Sequence, residues 1–158
     1  GKYPANRPNV YDLSLRVPCI VRWPGTVPSG TVVDRHISHL DLYPSLLDLA
    51  GIQRPGGLLL RGNSFVPLLQ GEKIAWDNTN YAQYLHLRSI QTPEWKYVHS
   101  LEDTAMNELY HLVEDPVEFV NLLESREQTW RDQHRALKGR LFSWMEKIRD
   151  PGLDVENQ

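Results

Sequence analysis

The stretch that most limits what this chain can become is Tyr11-Asp12-Leu13-Ser14-Leu15-Arg16-Val17-Pro18-Cys19-Ile20-Val21-Arg22-Trp23-Pro24-Gly25. Residues 17–23 are mostly apolar and rich in β-branched side chains, which suits a strand covered on both faces of a sheet. Pro18 falls near the start of that run, where a missing N–H costs least, and Pro24-Gly25 closes it with turn chemistry. The pattern predicts a buried core strand with Cys19 inside it, an inert setting for a thiol. Asp12 and Ser14 precede Arg16, so charged and hydroxylated groups stand at the strand's edge, where α/β enzymes hold their sites.

Before this block, residues 1–10 carry Lys2 and Arg7 among two prolines and two asparagines, a composition that favours an irregular loop. After it, Leu42, Leu46, Leu49 and Ala50 share one helical face, with Tyr43 and Leu47 beside it. Asp41 is placed to cap this helix, Pro44 lies in its first turn, and Gly51 supplies the left-handed stop. Residues 53–73 read as loop with a short leucine-packing turn at Pro67-Leu68-Leu69.

From Ile74 the texture alternates. Residues 81–90 mix aromatic and polar side chains, residues 88–92 and 95–99 flank Pro93-Glu94 as a hairpin, and residues 108–112 form a further strand closed by Glu114-Asp115-Pro116. His86, His99 and His111 fall on these strands, and alternation leaves open whether they cluster. The last segment is an amphipathic helix over about residues 127–149: Trp130, His134, Leu137, Leu141, Trp144 or Met145, and Ile148 recur at spacings of four and three. Ser125 and Gln128 have capping-box spacing, and Pro151-Gly152 ends the helix.

Charge and length narrow the function classes. The net charge of −3 gives no electrostatic footprint for nucleic acid or an anionic membrane. No apolar run approaches the roughly 18 residues of a membrane span. A single cysteine excludes an internal disulfide framework. There is neither a signal pattern nor an initiating Met, and Gly1-Lys2-Tyr3-Pro4 reads as an entrance in mid-protein. His36 and His39 lie beside Asp41, but no third ligand cluster accompanies them, so they read as solvated or capping histidines rather than metal ligands.

In its order of residues, Tyr-Asp-x-Ser-x-Arg-Val-Pro, an apolar strand, then Trp-Pro-Gly, the block resembles the sulfatase family of the alkaline-phosphatase-like superfamily, with Asp12 where Glu is more usual. The likeness continues through Asp41-Leu42-Tyr43-Pro44-Ser45-Leu46-Leu47-Asp48-Leu49-Ala50-Gly51, Gly62-Asn63-Ser64 with Pro67-Leu68-Leu69, Lys96-Tyr97, Glu108-Leu109-Tyr110, and Asp115-Pro116 with Glu118, Asn121 and Leu122. His111 and Gln91 depart from the family's Asp and Arg. The resemblance implies an α/β fold: the end of an alkaline-phosphatase-like sandwich over residues 1–73, then a small antiparallel sheet packed with a C-terminal helix over residues 74–158.

It also implies a sulfuric ester hydrolase acting on a sulfated small molecule or glycan, in a periplasmic, extracellular or lysosomal setting. The family's sulfate-contacting Lys stands four residues before the Tyr of the motif, and Arg7 occupies that place here, with Lys2 as a competing candidate. The family's nucleophile, a formylglycine made from Cys or Ser in Cys/Ser-x-Pro-x-Arg, has no counterpart in this sequence, and its calcium ligands are also absent. The implied calcium and formylglycine therefore belong to the remainder of the sulfatase core, which becomes this chain's expected partner. Two alternatives stand beside this reading: a non-catalytic interaction module of the same fold, and a phosphodiesterase or phosphonate hydrolase of the superfamily.

Overall fold

In the computed structural model, residues 9–156 are described, and their contacts gather into two units. One unit joins the chain up to Val17 with everything from Thr79 onward, and the other is Pro18–Asn78.

The first unit is organised by a four-stranded antiparallel meander: β1 (Asn80–Tyr84), β2 (Leu87–Gln91), β3 (Trp95–Ser100) and β4 (Glu108–His111), adjacent in that order. The β2–β3 hairpin turns at Thr92, whose amide donates to the Trp95 carbonyl (2.8 Å) and whose hydroxyl accepts from the Trp95 amide (3.0 Å). Because side chains alternate across a strand, the register sorts this sheet into two faces. Tyr81 pairs with Ile90, Ile90 with Tyr97, and Tyr97 with Leu109, so these four form one row across all strands. Ile90, Tyr97 and Leu109 join Leu137, Leu141 and Met145 of α4 (Gln128–Ile148) in the main core. The expected stripe of this helix is therefore its docking face, flanked by the half-buried Trp130 and Trp144, and Trp144 stacks on Tyr81 with ring centroids 4.5 Å apart.

The opposite face would be solvated in many antiparallel sheets. Here Val10 packs on Leu87 and Val98, and Tyr11 and Asp12 continue the cover, which is why every residue of β2 and β3 is buried. The helix ends differ from expectation. Ser125 accepts from the Glu127 amide (3.3 Å) instead of forming a capping box with Gln128, and the N-cap Glu127 makes no side-chain cap. The helix stops at Arg149 in the left-handed region, φ 55°, before Pro151-Gly152 and a short α5 (Gly152–Glu156).

The second unit carries α2 (Leu42–Leu49) and α3 (Val66–Leu69). The predicted α2 helix is present, but its cap is Ser38, which with Asp41 forms a capping box around a short 3-10 turn at His39–Asp41. Asp41 acts as the box's acid, accepting from the Ser38 amide, and its other oxygen accepts from the Asn63 amide, both at 2.8 Å. Gly62 is required beside this carboxylate because a Cβ there would collide with the Leu40 carbonyl. The α2 face that is buried holds Pro44 and Ser45 rather than the leucines: the Ser45 hydroxyl donates to the Asp41 carbonyl (2.6 Å) and accepts from the Phe65 amide (3.0 Å). Leu42, Tyr43 and Leu46 are exposed.

The strand predicted for residues 17–23 is not formed, and this corrects the reading of the opening block. The motif's start instead makes one helical turn, α1 (Asp12–Leu15), after which residues 17–23 have no regular structure. Cys19 is exposed, and Ile20 is 91% exposed. A strand needs a neighbour to take its amides and carbonyls, and among the described residues none pairs with this run.

Leu141 is wholly buried where α4 meets the sheet. Leu141→Ala should cost about 2–5 kcal/mol in chemical denaturation, the range for emptying a packed leucine site. A loss under about 0.5 kcal/mol, the scale of an ordinary surface substitution, would show that the stripe is not a core face.

Candidate functional site

Arg7, for which the family resemblance implies a sulfate contact, and its competing candidate Lys2 lie outside the described residues. What the structure describes is the segment that follows Arg7 and how it is fixed. Asn9 begins it, its side-chain oxygen accepting from the Ser14 hydroxyl (2.8 Å) and the Tyr11 amide (3.4 Å). Val10 is buried against the sheet, and the Tyr11 hydroxyl donates to Glu108 Oε1 (2.7 Å) while its ring meets Tyr110 edge-on.

Asp12 joins this segment to the centre of the sheet. Lys96 of β3 points to the same face as Val98, and its Nζ lies 2.9 Å from Asp12 Oδ1 and 2.7 Å from Glu118 Oε1. Gln91 Nε2 donates to the other Asp12 oxygen (3.1 Å), and the Glu118 carboxylate accepts from the Asp12 backbone amide (3.2 Å). Lys96 is fully buried and Glu118 nearly so, whereas the Asp12 side chain keeps partial access to water. Two carboxylates thus share one ammonium, and the site's formal charge is negative. Burial pushes the Asp12 carboxyl up, but the hydrogen bond and charge of Lys96 outweigh it and hold the group below its ordinary range. Glu118, deeper, goes the other way: burial raises it more than Lys96 lowers it, and the Asp12 charge adds to the rise.

The loop after β4 is shaped to deliver Glu118. Its amide donates to the Asp115 carbonyl (3.1 Å), the Asp115 side chain accepts from the Val120 amide (2.7 Å), and Glu118 itself sits at φ 56°. A non-glycine residue rarely adopts that conformation, and the carboxylate it aims at Lys96 and Asp12 is the compensating contact. Asn121 closes the loop, accepting from the Leu109 and Leu123 amides (2.9 and 3.1 Å) and donating to the Asn107 carbonyl (3.0 Å). Tyr11, Asp12, Lys96, Glu108, Tyr110 and Glu118 therefore converge on one face of the sheet, although they are scattered in sequence.

The sheet histidines do not converge. His86 lies 3.3 Å from Glu102, His99 shares a 2.9 Å hydrogen bond with the Tyr97 hydroxyl, and His111 sits against Trp95 near Glu114. His36 and His39 are likewise apart from any ligand set: the His36 amide donates to Asn78 (2.6 Å) and its carbonyl accepts from Trp76 (3.0 Å). Among the described residues no group of three or more His, Cys, Asp or Glu side chains could hold a metal ion.

One buried pair escaped the sequence reading. Arg88 grips Asp150 with two bonds, Nε–Oδ2 at 2.6 Å and Nη2–Oδ1 at 2.9 Å, on the helix side of the sheet. Asp150 also accepts from the Gly152 amide (2.9 Å), so it locks the end of α4 to β2. Its only sequence signal is an Asp placed between a helix and Pro-Gly.

Residues 6–147 match the family model described as N-sulphoglucosamine sulphohydrolase, C-terminal. An ulvan-active sulfatase from Formosa agariphila is 27% identical over an alignment covering 86% of this chain and 34% of that protein. A choline-sulfatase from Rhizobium meliloti is 34% identical over 74% of this chain and 23% of its own length. Among solved structures, BT4656 in complex with D-glucosamine-2-N,6-O-disulfate superposes with a TM-score of 0.73 at 23% identity, over 84% of this chain and 29% of that one. The chain thus spans about a third or less of each of these proteins, and the shared fold is the alkaline-phosphatase-like α/β architecture expected above.

The opposite shifts of the two carboxylates give a pH signature. Glu118 is raised above its ordinary 4.5, so its ionisation disfavours the fold, and stability is lost as pH rises from that value through the raised one. Asp12 acts below its ordinary 3.8, stabilising above it and losing that contribution as pH falls further. As pH is raised from the ordinary 4.5 toward neutrality, wild type should lose stability relative to Glu118→Gln, in which this group no longer titrates. Urea unfolding across that range checks this, and a difference that stays flat or moves in favour of wild type would contradict the assignment.

Proposed function

This chain belongs to the sulfatase family, as its C-terminal portion, and on that footing we propose that it forms part of a sulfuric ester hydrolase, contributing a sulfate-contacting cation and walls of the substrate pocket. The observation that carries the reading is the span of the family match, residues 6–147, which takes in Arg7 together with the anchored segment that follows it. Arg7 stands four residues before Tyr11, the place of the family's sulfate-contacting Lys.

The chemistry asks for a cation there. A sulfate ester is anionic at any working pH, and its leaving oxygen gains charge as the S–O bond breaks, so a fixed positive group stabilises the transition state more than the ground state. Arginine offers a two-pronged donor where lysine offers a point charge. Lys2 is the competing cation.

The formylglycine nucleophile and calcium lie, in this reading, in the part of the enzyme outside this chain. The acidic groups described here do not fit a calcium site: Asp12 and Glu118 are taken up by Lys96, and no three-residue ligand group is present among the described residues. This chain's own part is to bind and orient the anionic group. The substrate class is a sulfated small molecule or glycan, a breadth supported by relatives as different as an ulvan-active sulfatase and a choline-sulfatase.

Two outcomes follow. The chain alone, supplied with calcium and an aryl sulfate, should give no turnover above a heat-killed control, since Cys/Ser-x-Pro-x-Arg is absent from it. In the full-length enzyme, Arg7→Ala should lower kcat/KM by roughly 10²–10³, the scale of one lost stabilising donor, with thermal stability little changed. Arg7→Lys should recover much of the loss. Intact turnover in Arg7→Ala together with abolished turnover in Lys2→Ala would transfer the role to Lys2.

A further inference from the structure

The charges of α4 sit where the helix itself gains little from them. Over Gln128–Ile148 the sequence sets Arg131, Arg135, Lys138, Arg140 and Lys147 against only Asp132 and Glu146, in a chain whose net charge is −3. A helix N-terminus favours acids, yet the first turn of α4 holds none and Arg131 stands close to it. Arg131 and Arg135 are four apart, the spacing at which like charges repel along a helix. At 3.6 residues per turn, Arg131, Arg135 and Lys138 fall within about 60° of one another, over about 10 Å of helix length. All three are exposed, on the flank beside the docking face of Leu137, Leu141 and Met145.

Little neutralises this flank. Arg135 shares the exposed Asp132 with Gln128, its Nη1 lying 3.1 Å from Oδ1. Among the described residues no carboxylate stands within ion-pair distance of Arg131 or Lys138. Lys138 lies over the Phe142 ring, its Nζ 5.2 Å from the centroid, which holds the ammonium on the flank and leaves its charge uncancelled. Arg140, on the other side of the helix, is bonded to Thr79 (2.6 Å). The positive field reaches the neighbouring imidazole as well. His134 packs on Tyr97 with ring centroids 4.8 Å apart, and its Nε2 has no hydrogen-bond partner. Burial lowers its pKa, and the charges of Lys138 and His99 lower it further.

We propose that Arg131, Arg135 and Lys138 form a binding stripe for a sulfated glycan chain, holding the polymer by sulfate groups other than the one being hydrolysed. This rests on the sulfated glycan among the substrates proposed above. A guanidinium meets an oxyanion with two parallel hydrogen bonds, and the ammonium adds a point charge. Cations in a line suit a polymer that carries anions along its length, whereas a small ester engages one of them at most. The stripe acts on capture and retention of the polymer, so salt screens its effect and the reacting ester is untouched.

In the full-length enzyme, Arg131→Gln/Arg135→Gln/Lys138→Gln removes the three charges while glutamine keeps the helix propensity. Arg22→Gln/Arg54→Gln/Lys73→Gln, at exposed positions of the Pro18–Asn78 unit, is the control for net charge. Labelled dextran sulfate is the probe, with dextran and a DNA duplex beside it, and aryl sulfate turnover is followed in parallel. Binding of dextran sulfate at low salt should weaken about 3- to 20-fold in the α4 variant, the combined scale of a few exposed ion pairs. The control should bind like wild type. The difference should vanish at about 1 M salt, where the screening length is about 3 Å. Unsulfated dextran should not bind, and kcat/KM for the aryl sulfate should be the same in the α4 variant as in wild type.

Equal binding by wild type and the α4 variant would overturn the inference. So would an equal loss in both triple variants, which would reduce the effect to net charge, or a parallel loss of aryl sulfate turnover in the α4 variant. DNA binding tighter than dextran sulfate binding, and dependent on the same three residues, would overturn the choice of glycan. A wild-type enzyme without turnover on any sulfate ester would instead remove the sulfatase reading, and the dextran sulfate comparison would still decide whether the stripe holds a sulfated polymer.

Discussion

An ammonium group sealed inside a sheet is the condition to which most of the first unit answers. Lys96, the second residue of β3, has no access to water, and an uncompensated charge there would cost several kcal/mol. Compensation comes from Glu118 and Asp12, which the chain must bring from opposite sides of the sheet's own sequence. The cover over one sheet face, the left-handed kink at Glu118 and the hydrogen-bonded loop from Asp115 to Asn121 are the geometry by which that is done. Buried ion groups of this kind are poor evidence for added stability, since a well-packed apolar cluster often does as well. Their better-attested effect is to make one arrangement far more favourable than its neighbours, because removing a single partner strands the others at about 3–5 kcal/mol.

The two faces of the sheet are fixed by different physics. On the α4 side the bond is dispersion and apolar burial, with Leu137, Leu141 and Met145 set into the row of Ile90, Tyr97 and Leu109. Such contacts tolerate small shifts along the helix, and the Arg88–Asp150 pair removes that freedom by tying the helix end to β2. On the other side apolar cover comes from Val10 and Tyr11, with the partly buried Leu15 and Met106 beside Val10, and direction comes from charge and hydrogen bonds. A side chain wanted at a defined place is better hung from the second kind of surface than the first, since hydrogen bonds are directional and apolar contact is not.

Much of the first unit could be read in the sequence because its signals are local. The spacing of Trp130, Leu137, Leu141 and Met145 repeats with the helical period, and the Thr92 to Trp95 turn lies between two alternating runs. Caps were legible only in part: Ser125 and Gln128 have the right spacing, but Glu127 took the cap position, and Ser38 outcompeted Asp41 by using Asp41 as its partner. The run at residues 17–23 was misread because strand composition specifies a surface to be covered, not the neighbour that covers it. The cluster around Lys96 was invisible as a cluster. Asp12, Lys96 and Glu118 could each be matched to a family motif, yet nothing in a linear pattern states that three motifs so far apart meet at one nitrogen. Asp150 carried still less signal, lying in what reads as a helix stop.

The first unit is also discontinuous along the chain, with Pro18–Asn78 interposed between the segment that covers the sheet and the sheet itself. That arrangement bears on how the molecule comes into being. The four strands follow one another along the chain, and α4 follows β4 after residues 112–127, so this part can assemble from contacts much closer in sequence than those of the cover. The cover cannot: Asp12 reaches Lys96 across 84 residues and Tyr11 reaches Glu108 across 97. Closing a flexible loop of that length costs about 4 kcal/mol of chain entropy beyond a constant, and no contact on that face returns anything until the loop is closed. Connectivity therefore favours an order in which sheet and helix form first and the N-terminal segment closes last. Until that last step, β3 carries Lys96 on an open, wet face, where a charge is at ease. Glu118, only 22 residues from Lys96, comes with the sheet, and the ammonium is closed off when Asp12 joins it, so the three-residue cluster is completed as a seal rather than as a seed.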